Sequence, residues 1–263
     1  MHLLVSRRVN AERLAVFGWS RAILLQLAHP LVAAGVAEHS SFRRGGVAAV
    51  ARLHHTIRAM LALTFGDPAA RQAAIERIRA IHRRVHGRLP SAAGIFAAGA
   101  PYSAEDPALV LWVHATLLES IPLVYELTVA PLTPEERDRY CDEAAEIAVA
   151  LGARPDAVPR AWSANAEYLT FTYASGAVAV SPQARELAAT VLAPPLAWAA
   201  GPLASMNRVV TLGLLPPPIR EQYGWTWDAR DEARLTGTLR RLRALRRVLP
   251  RRAAWWPEAR RIV

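Results

Sequence analysis

The sequence contains no lysine; all 32 basic side chains among its 263 residues are arginine. No chemistry that rests on a lysine amine is open to it. Cysteine is nearly absent as well. Cys141 stands alone, so no internal disulfide and no Cys-x-x-Cys zinc pair can form, which reads as a reducing, cytoplasmic setting. Residues 1–10 are too polar for a signal peptide. The longest apolar runs are Ala22–Val36, interrupted by Gln26, His29 and Pro30, and Pro194–Leu215, cut by Pro202, Asn207 and Arg208. Neither supplies the ~20 residues of a membrane span, so both read as core helices. Several reaction classes lack their signatures. There is no Gly-x-Ser-x-Gly elbow, no Walker or Rossmann glycine loop and no His-Glu-x-x-His zinc motif. No acid stands three residues before any histidine, which argues against a di-iron carboxylate site.

What is present is a helix-forming, core-forming chain. Hydrophobic residues make up 52% and charged residues 21%, which excludes a disordered polypeptide. The net charge of +10 describes either a solvated basic face or a weak attraction to acidic lipid headgroups; no nucleic-acid partner is expected. Helical periodicity predicts helices near 10–37, 46–65, 68–88, 106–128, 134–151, 159–174, 183–193, 195–213 and 228–248, with Val178–Ser181 the one short strand candidate. Asp67-Pro68, Asp106-Pro107 and Thr133-Pro134 pair a capping side chain with proline in the first turn. Residues 88–105 form a loop suited to lining an entrance, and Pro216-Pro217-Pro218 predicts an extended or kinked stretch. The expected fold is all-α, with residues 1–263 as a single domain.

Eight histidines are the most informative feature. His82 falls within an apolar stripe of Ile75, Ile78, Ile81, Val85 and Leu89, and His114 shares a face with Leu111, Leu117, Leu118 and Ile121. An imidazole on such a face needs a partner, either a carbonyl within the core or a metal such as haem iron. Arg52, His55 and Thr56 are neighbours at helical spacing, which makes either an ordinary polar face or a cluster suited to a propionate or an oxygen species. His29 precedes Pro30 and is placed to satisfy a carbonyl freed by that proline. Glu38 and His39 end a helical stretch, where they could act as acid and base.

In order and spacing these segments are similar to the MpaB / latex-clearing-protein oxygenase family, bacterial branch. The resemblance rests on Arg21–Pro30, Gly35–Ser40, Arg52–Thr56, His82–Val85 with Gly87, Tyr102, Asp106-Pro107 and Trp112–Thr116. It continues through Asp138-x-Tyr140, Leu214–Pro217 and Tyr223-Gly224, and spans nearly the whole chain. It implies a globin-like helical core holding haem b, with dioxygen as co-substrate for cleavage of an alkene in an isoprenoid chain. His82 takes the position of the family's proximal iron ligand. Arg52 and Thr56 match its distal arginine and threonine, His55 stands where the rubber-cleaving branch has a lysine, and Glu38 or His39 stands near that branch's glutamate. His114 is typical of the bacterial branch, as a pocket residue or an alternative ligand. Having no lysine, the chain departs from the rubber-cleaving pattern, which argues against rubber as substrate. With no Cys-x-x-Cys-His segment, any haem is held without covalent attachment. Two other functions are open: a haem-binding sensor or carrier without turnover, which uses the same His82, and a cofactor-free helical interaction module using the arginine-rich helix around Arg240–Arg252 on nucleic acid or membrane.

Overall fold

The structure, a computed structural model, describes residues 4–39, 46–192 and 201–261, and the backbone alone of 46–55, 202–203 and 261. It is all-α. The described residues form thirteen α-helices, two short 3-10 turns and one two-stranded sheet.

Three helix starts follow their capping chemistry. Asp67 accepts from the Ala70 amide at 2.7 Å to open α5 (Pro68–His82), and Asp106 accepts from the Ala108 amide at 2.9 Å to open α6 (Pro107–Thr128). Thr133 and Glu136 form a reciprocal capping box at the start of α7 (Pro134–Leu151). Each cap leaves a proline at the first helical position, where its missing amide is not needed.

The predicted helix over 10–37 is instead three: α1 (Val5–Ala11), α2 (Val16–Leu27) and α3 (Pro30–His39). The break at Ala28-His29 turns the chain by 103°. Pro30 has no amide to give the Gln26 carbonyl. That carbonyl receives the His29 amide at 3.2 Å and the Trp112 indole Nε1–H at 3.4 Å. Trp112, not the His29 side chain, repairs the break, and His29 Nδ1 is buried without a partner. The Ala28 carbonyl is satisfied by the Ala179 amide at 2.9 Å, so the Val178–Ser181 segment is an irregular buttress rather than a strand.

The predicted helix over 68–88 stops at His82. Val85 and Leu89 continue the apolar spacing, yet they belong to a turn and a hairpin that pack with Leu31, Ala34, Tyr102 and Leu109. The hairpin pairs β1 (His86–Arg88) antiparallel with β2 (Pro101–Ser103), placing Gly87 opposite Tyr102. Periodicity cannot see such an ending, because the residues beyond it still face the same core. The remaining helices are α4 (Gly46–Phe65), α8 (Trp162–Ala174), α9 (Pro182–Leu192), α10 (Pro202–Gly213), α11 (Pro217–Gln222), α12 (Ala229–Val248) and α13 (Arg251–Ala254). The triple proline therefore ends in a short helix with Pro217 in its first turn. Residues 195–200 of the predicted 195–213 helix lie outside the described residues.

The centre of the fold is the contact of α2 with α6. Gly18 permits it, since a Cβ there would lie 2.6 Å from the Ser120 carbonyl oxygen and 3.0 Å from Ile121 Cα. Arg21, 3% exposed, locks the same seam. Its Nη1 donates to Glu119 at 2.8 Å and Ser120 Oγ at 2.6 Å, and its Nε donates to the Leu214 carbonyl at 2.7 Å. Helix α6 is long and apolar enough to cross a membrane, but 72% of its apolar window is buried inside the protein.

Gly18→Ala is expected to destabilise the protein by about 2–3 kcal/mol, because the obstacle is backbone that cannot rotate away. A thermal melt should show Tm falling by roughly 5–10 °C. An unchanged Tm would mean that α2 and α6 do not approach this closely.

Candidate functional site

The bend before Pro30 brings Leu31, Val32 and Val36 of α3 to a space shared with α5 and α6 that is not filled by protein. A cavity of about 400 Å³ remains there. Its walls are mostly aliphatic: Leu31, Val32 and Val36 from α3, Met60 and Leu63 from α4, Ile78 and Ile81 from α5, Val113, Leu117 and Ile121 from α6, and Ile147 and Leu151 from α7. The apolar stripe of α5 thus faces an open cavity rather than a packed core, and Ile81 is 55% exposed although it lines the wall.

His82 and His114 both line this cavity. His82 is the last residue of α5; its Nδ1 is buried and has no hydrogen-bond partner. Burial lowers its proton affinity, opposed by the more distant Glu105 carboxylate. His114 sits in the middle of α6 with Nε2 buried and unpartnered. Burial alone brings its pKa down to about 4, so the ring is neutral near pH 7.

The other polar groups of the wall are already engaged. Asn10 Nδ2 donates to the Ser6 carbonyl and to Tyr140 Oη, Gln26 Nε2 donates to Thr116 Oγ1 at 3.2 Å, and Thr64 Oγ1 donates to the Met60 carbonyl at 2.9 Å. His39, at the rim, places Nε2 3.0 Å from the His86 carbonyl. A carbonyl only accepts, so the proton of that ring is on Nε2. The Tyr102 hydroxyl, on the cavity wall, donates to Glu38 Oε2, whose carboxylate borders a separate surface cleft with Arg88, Gln183 and Glu186. Burial, reinforced by that carboxylate, holds the Tyr102 phenol well above its ordinary range.

The structure therefore brings His82, His114 and His39 to one cavity and puts Glu38 one hydrogen bond behind it. Thr56 is exposed and lies one helical turn before the cavity-lining Met60. The side chains of Arg52 and His55 lie outside the described residues. Sequence reasoning gave Tyr102 no role; its signal was the pairing with Gly87, where a Cβ would stand 2.5 Å from the phenol oxygen. Among the described residues no three His, Cys, Asp or Glu side chains cluster as a metal site. The donor set is instead isolated imidazoles in an aliphatic cavity, which fits an apolar planar group whose metal takes one or two protein nitrogens.

His29 and His114 bear on stability through the same physics. Both are buried, and burial lowers each pKa from 6.5 to about 4. Lowered folded pKa values mean the unfolded chain binds more protons between these limits, so stability is complete above about pH 6.5 and falls towards pH 4. The loss is about 3 kcal/mol per ring. Urea unfolding of the ligand-free protein should therefore show an uptake of about two protons near pH 5 from these rings, and about one in His114→Leu. An uptake unchanged by that substitution would show that His114 titrates normally in the folded state.

No curated protein and no solved structure matches the chain. Residues 6–248 match a family described as ER-bound oxygenase mpaB/B'/Rubber oxygenase, catalytic domain. The match runs from α1 to the last residue of α12 and takes in every cavity-lining element, so the chain belongs to the mpaB / rubber oxygenase catalytic-domain family and is an oxygenase domain.

Proposed function

We propose that this oxygenase uses haem b and dioxygen to cleave or oxygenate an alkene in an apolar, isoprenoid-like substrate. One observation carries the reading: among the described residues, the buried side-chain atoms of the cavity wall that lack a partner are two imidazole nitrogens, His82 Nδ1 and His114 Nε2. An unpaired buried polar atom is costly, by about 1–3 kcal/mol, and a ligand that engages it recovers that energy.

Bound in this cavity, haem b would supply the dioxygen chemistry that no amino-acid side chain provides. His82 holds the iron through one ring nitrogen, following its position in the family pattern. Its lowered proton affinity keeps the ring in the neutral form that coordinates a metal. His114 presents a second neutral nitrogen to the same space, as a hydrogen-bond acceptor or a second ligand. Arg52 and Thr56 orient dioxygen or a haem propionate, with His55 beside them; these roles come from the family pattern. His39 handles protons at the rim, and Glu38 does so from behind the wall by way of the Tyr102 hydroxyl. The aliphatic walls exclude water and retain an apolar substrate by burial, at roughly 25 cal/mol per Å².

Protein expressed with abundant haem precursor should be coloured, with a Soret band that His82→Ala weakens or abolishes. Oxygen uptake should require an isoprenoid alkene, and changing Arg52 or Thr56 should lower turnover by about 10–100-fold while haem content holds. Colourless wild-type protein would end the haem reading. An unchanged spectrum in His82→Ala, with loss of haem in His114→Ala, would reverse the ligand assignment.

A further inference from the structure

The arginines near the C-terminus are not absorbed by the oxygenase site. From Ala233 to Pro257 the sequence carries no aspartate or glutamate, yet it contains Arg234, Arg240, Arg241, Arg243, Arg246, Arg247, Arg251 and Arg252. Three of these are engaged within the protein. Arg234 pairs with Asp231, Arg243 donates to the Glu126 carbonyl, and Arg246 forms a two-pronged bond with the buried Glu12, at 2.7 Å from both Nε and Nη2. That last bond fixes the end of α12 to the body of the protein. Arg240, Arg241, Arg247, Arg251 and Arg252 are exposed and have no carboxylate partner among the described residues. Arg251 lies over the Trp255 ring.

The same face carries apolar side chains that the fold does not bury. Helix α12 packs on α10 and α6 through Leu235, Thr238 and Leu242. Flanking that buried stripe, Arg241, Leu245 and Val248 follow one another at four- and three-residue spacing, with Leu245 44% and Val248 78% exposed. Guanidinium groups around a projecting Leu and Val match an interface whose outer layer is anionic and whose next layer is hydrocarbon. The arginines meet headgroup phosphates while their stems and the apolar side chains enter the acyl boundary. A nucleic acid rewards only the first half of this arrangement. Between positions 240 and 252 there is no Asn, Gln, Ser, Thr or aromatic residue to read or stack on a base.

We propose that the C-terminal end of α12, with α13, docks the protein on an anionic phospholipid surface. This stands independently of the haem reading, since none of its residues lines the cavity.

The test is co-sedimentation of the intact chain with phosphatidylcholine vesicles containing about 30% phosphatidylglycerol, beside pure phosphatidylcholine vesicles. Binding is expected only to the anionic vesicles and should weaken strongly between about 0.05 and 0.5 M salt. Each arginine near the surface contributes about five-fold, so combined Arg240→Gln, Arg241→Gln and Arg247→Gln should lower the partition coefficient about 100-fold. Val248→Ser should lower it about five-fold or more while leaving binding to a duplex DNA probe unchanged. These side chains are exposed, so both variants should melt like the parent. No vesicle binding at low salt overturns the proposal. So does vesicle binding untouched by Val248→Ser and lost in parallel with DNA binding in the arginine variant, which would describe an unspecific polyanion surface.

Discussion

A single missing amide governs the architecture around the cavity. Because Pro30 cannot hydrogen-bond the Gln26 carbonyl, α2 ends, and the chain turns by 103° into α3. A straight continuation would carry Leu31, Val32, Gly35, Val36 and His39 away from α5 and α6, and the cavity would lose a wall. The turn is held on three sides: Trp112 of α6 donates to the freed carbonyl, Ala179 donates to the next but one, and the Tyr223 hydroxyl donates to the Leu24 carbonyl at 2.7 Å. Gly18 completes the arrangement one helix earlier, by letting α2 come close enough to α6 for the Trp112 bond to form on the right face. Backbone accounting therefore sets the position of the site before any functional side chain enters.

Within the cavity the relevant energy is that of desolvated, neutral imidazoles. A protein interior normally satisfies its buried polar atoms, and here Asn10, Gln26, Thr64 and Tyr102 do so by bonding inward. His82 and His114 do not. Their proton affinities are lowered by the same burial that leaves them unpaired, so protons do not compete for their lone pairs near pH 7. His29 Nδ1 is buried and unpaired as well, away from the cavity, so it is the placement of His82 and His114 on the cavity wall that suits them to engage a bound group.

Much of this was legible in the sequence where local chemistry decides. The starts of α5, α6 and α7 follow from Asp67, Asp106 and Thr133, each ahead of a proline, and the apolar faces carrying His82 and His114 follow from spacing. What the spacing could not give was the difference between a face packed on protein and a face turned to a void, because both demand aliphatic residues; Ile81 reads as core and is half exposed. The end of α5 was hidden for a related reason: Val85 and Leu89 still bury against Leu31 and Tyr102 after the helix has stopped. His29 was misread because carbonyl repair at the bend came from Trp112, far away in sequence.

The same geometry bears on how Glu38 could act. In the proposed function Glu38 handles protons, yet its carboxylate borders the surface cleft and reaches the cavity through the Tyr102 hydroxyl. A phenol that donates to a carboxylate and whose own pKa is raised by burial stays protonated, so it can relay a proton only by taking one from the cavity side as it gives one to Glu38. Gly87 bears on this relay, because a side chain there would meet the phenol oxygen and displace it. The β1–β2 hairpin therefore contributes more than a wall: by holding Gly87 opposite Tyr102, it determines whether the cavity and the surface carboxylate share a hydrogen bond.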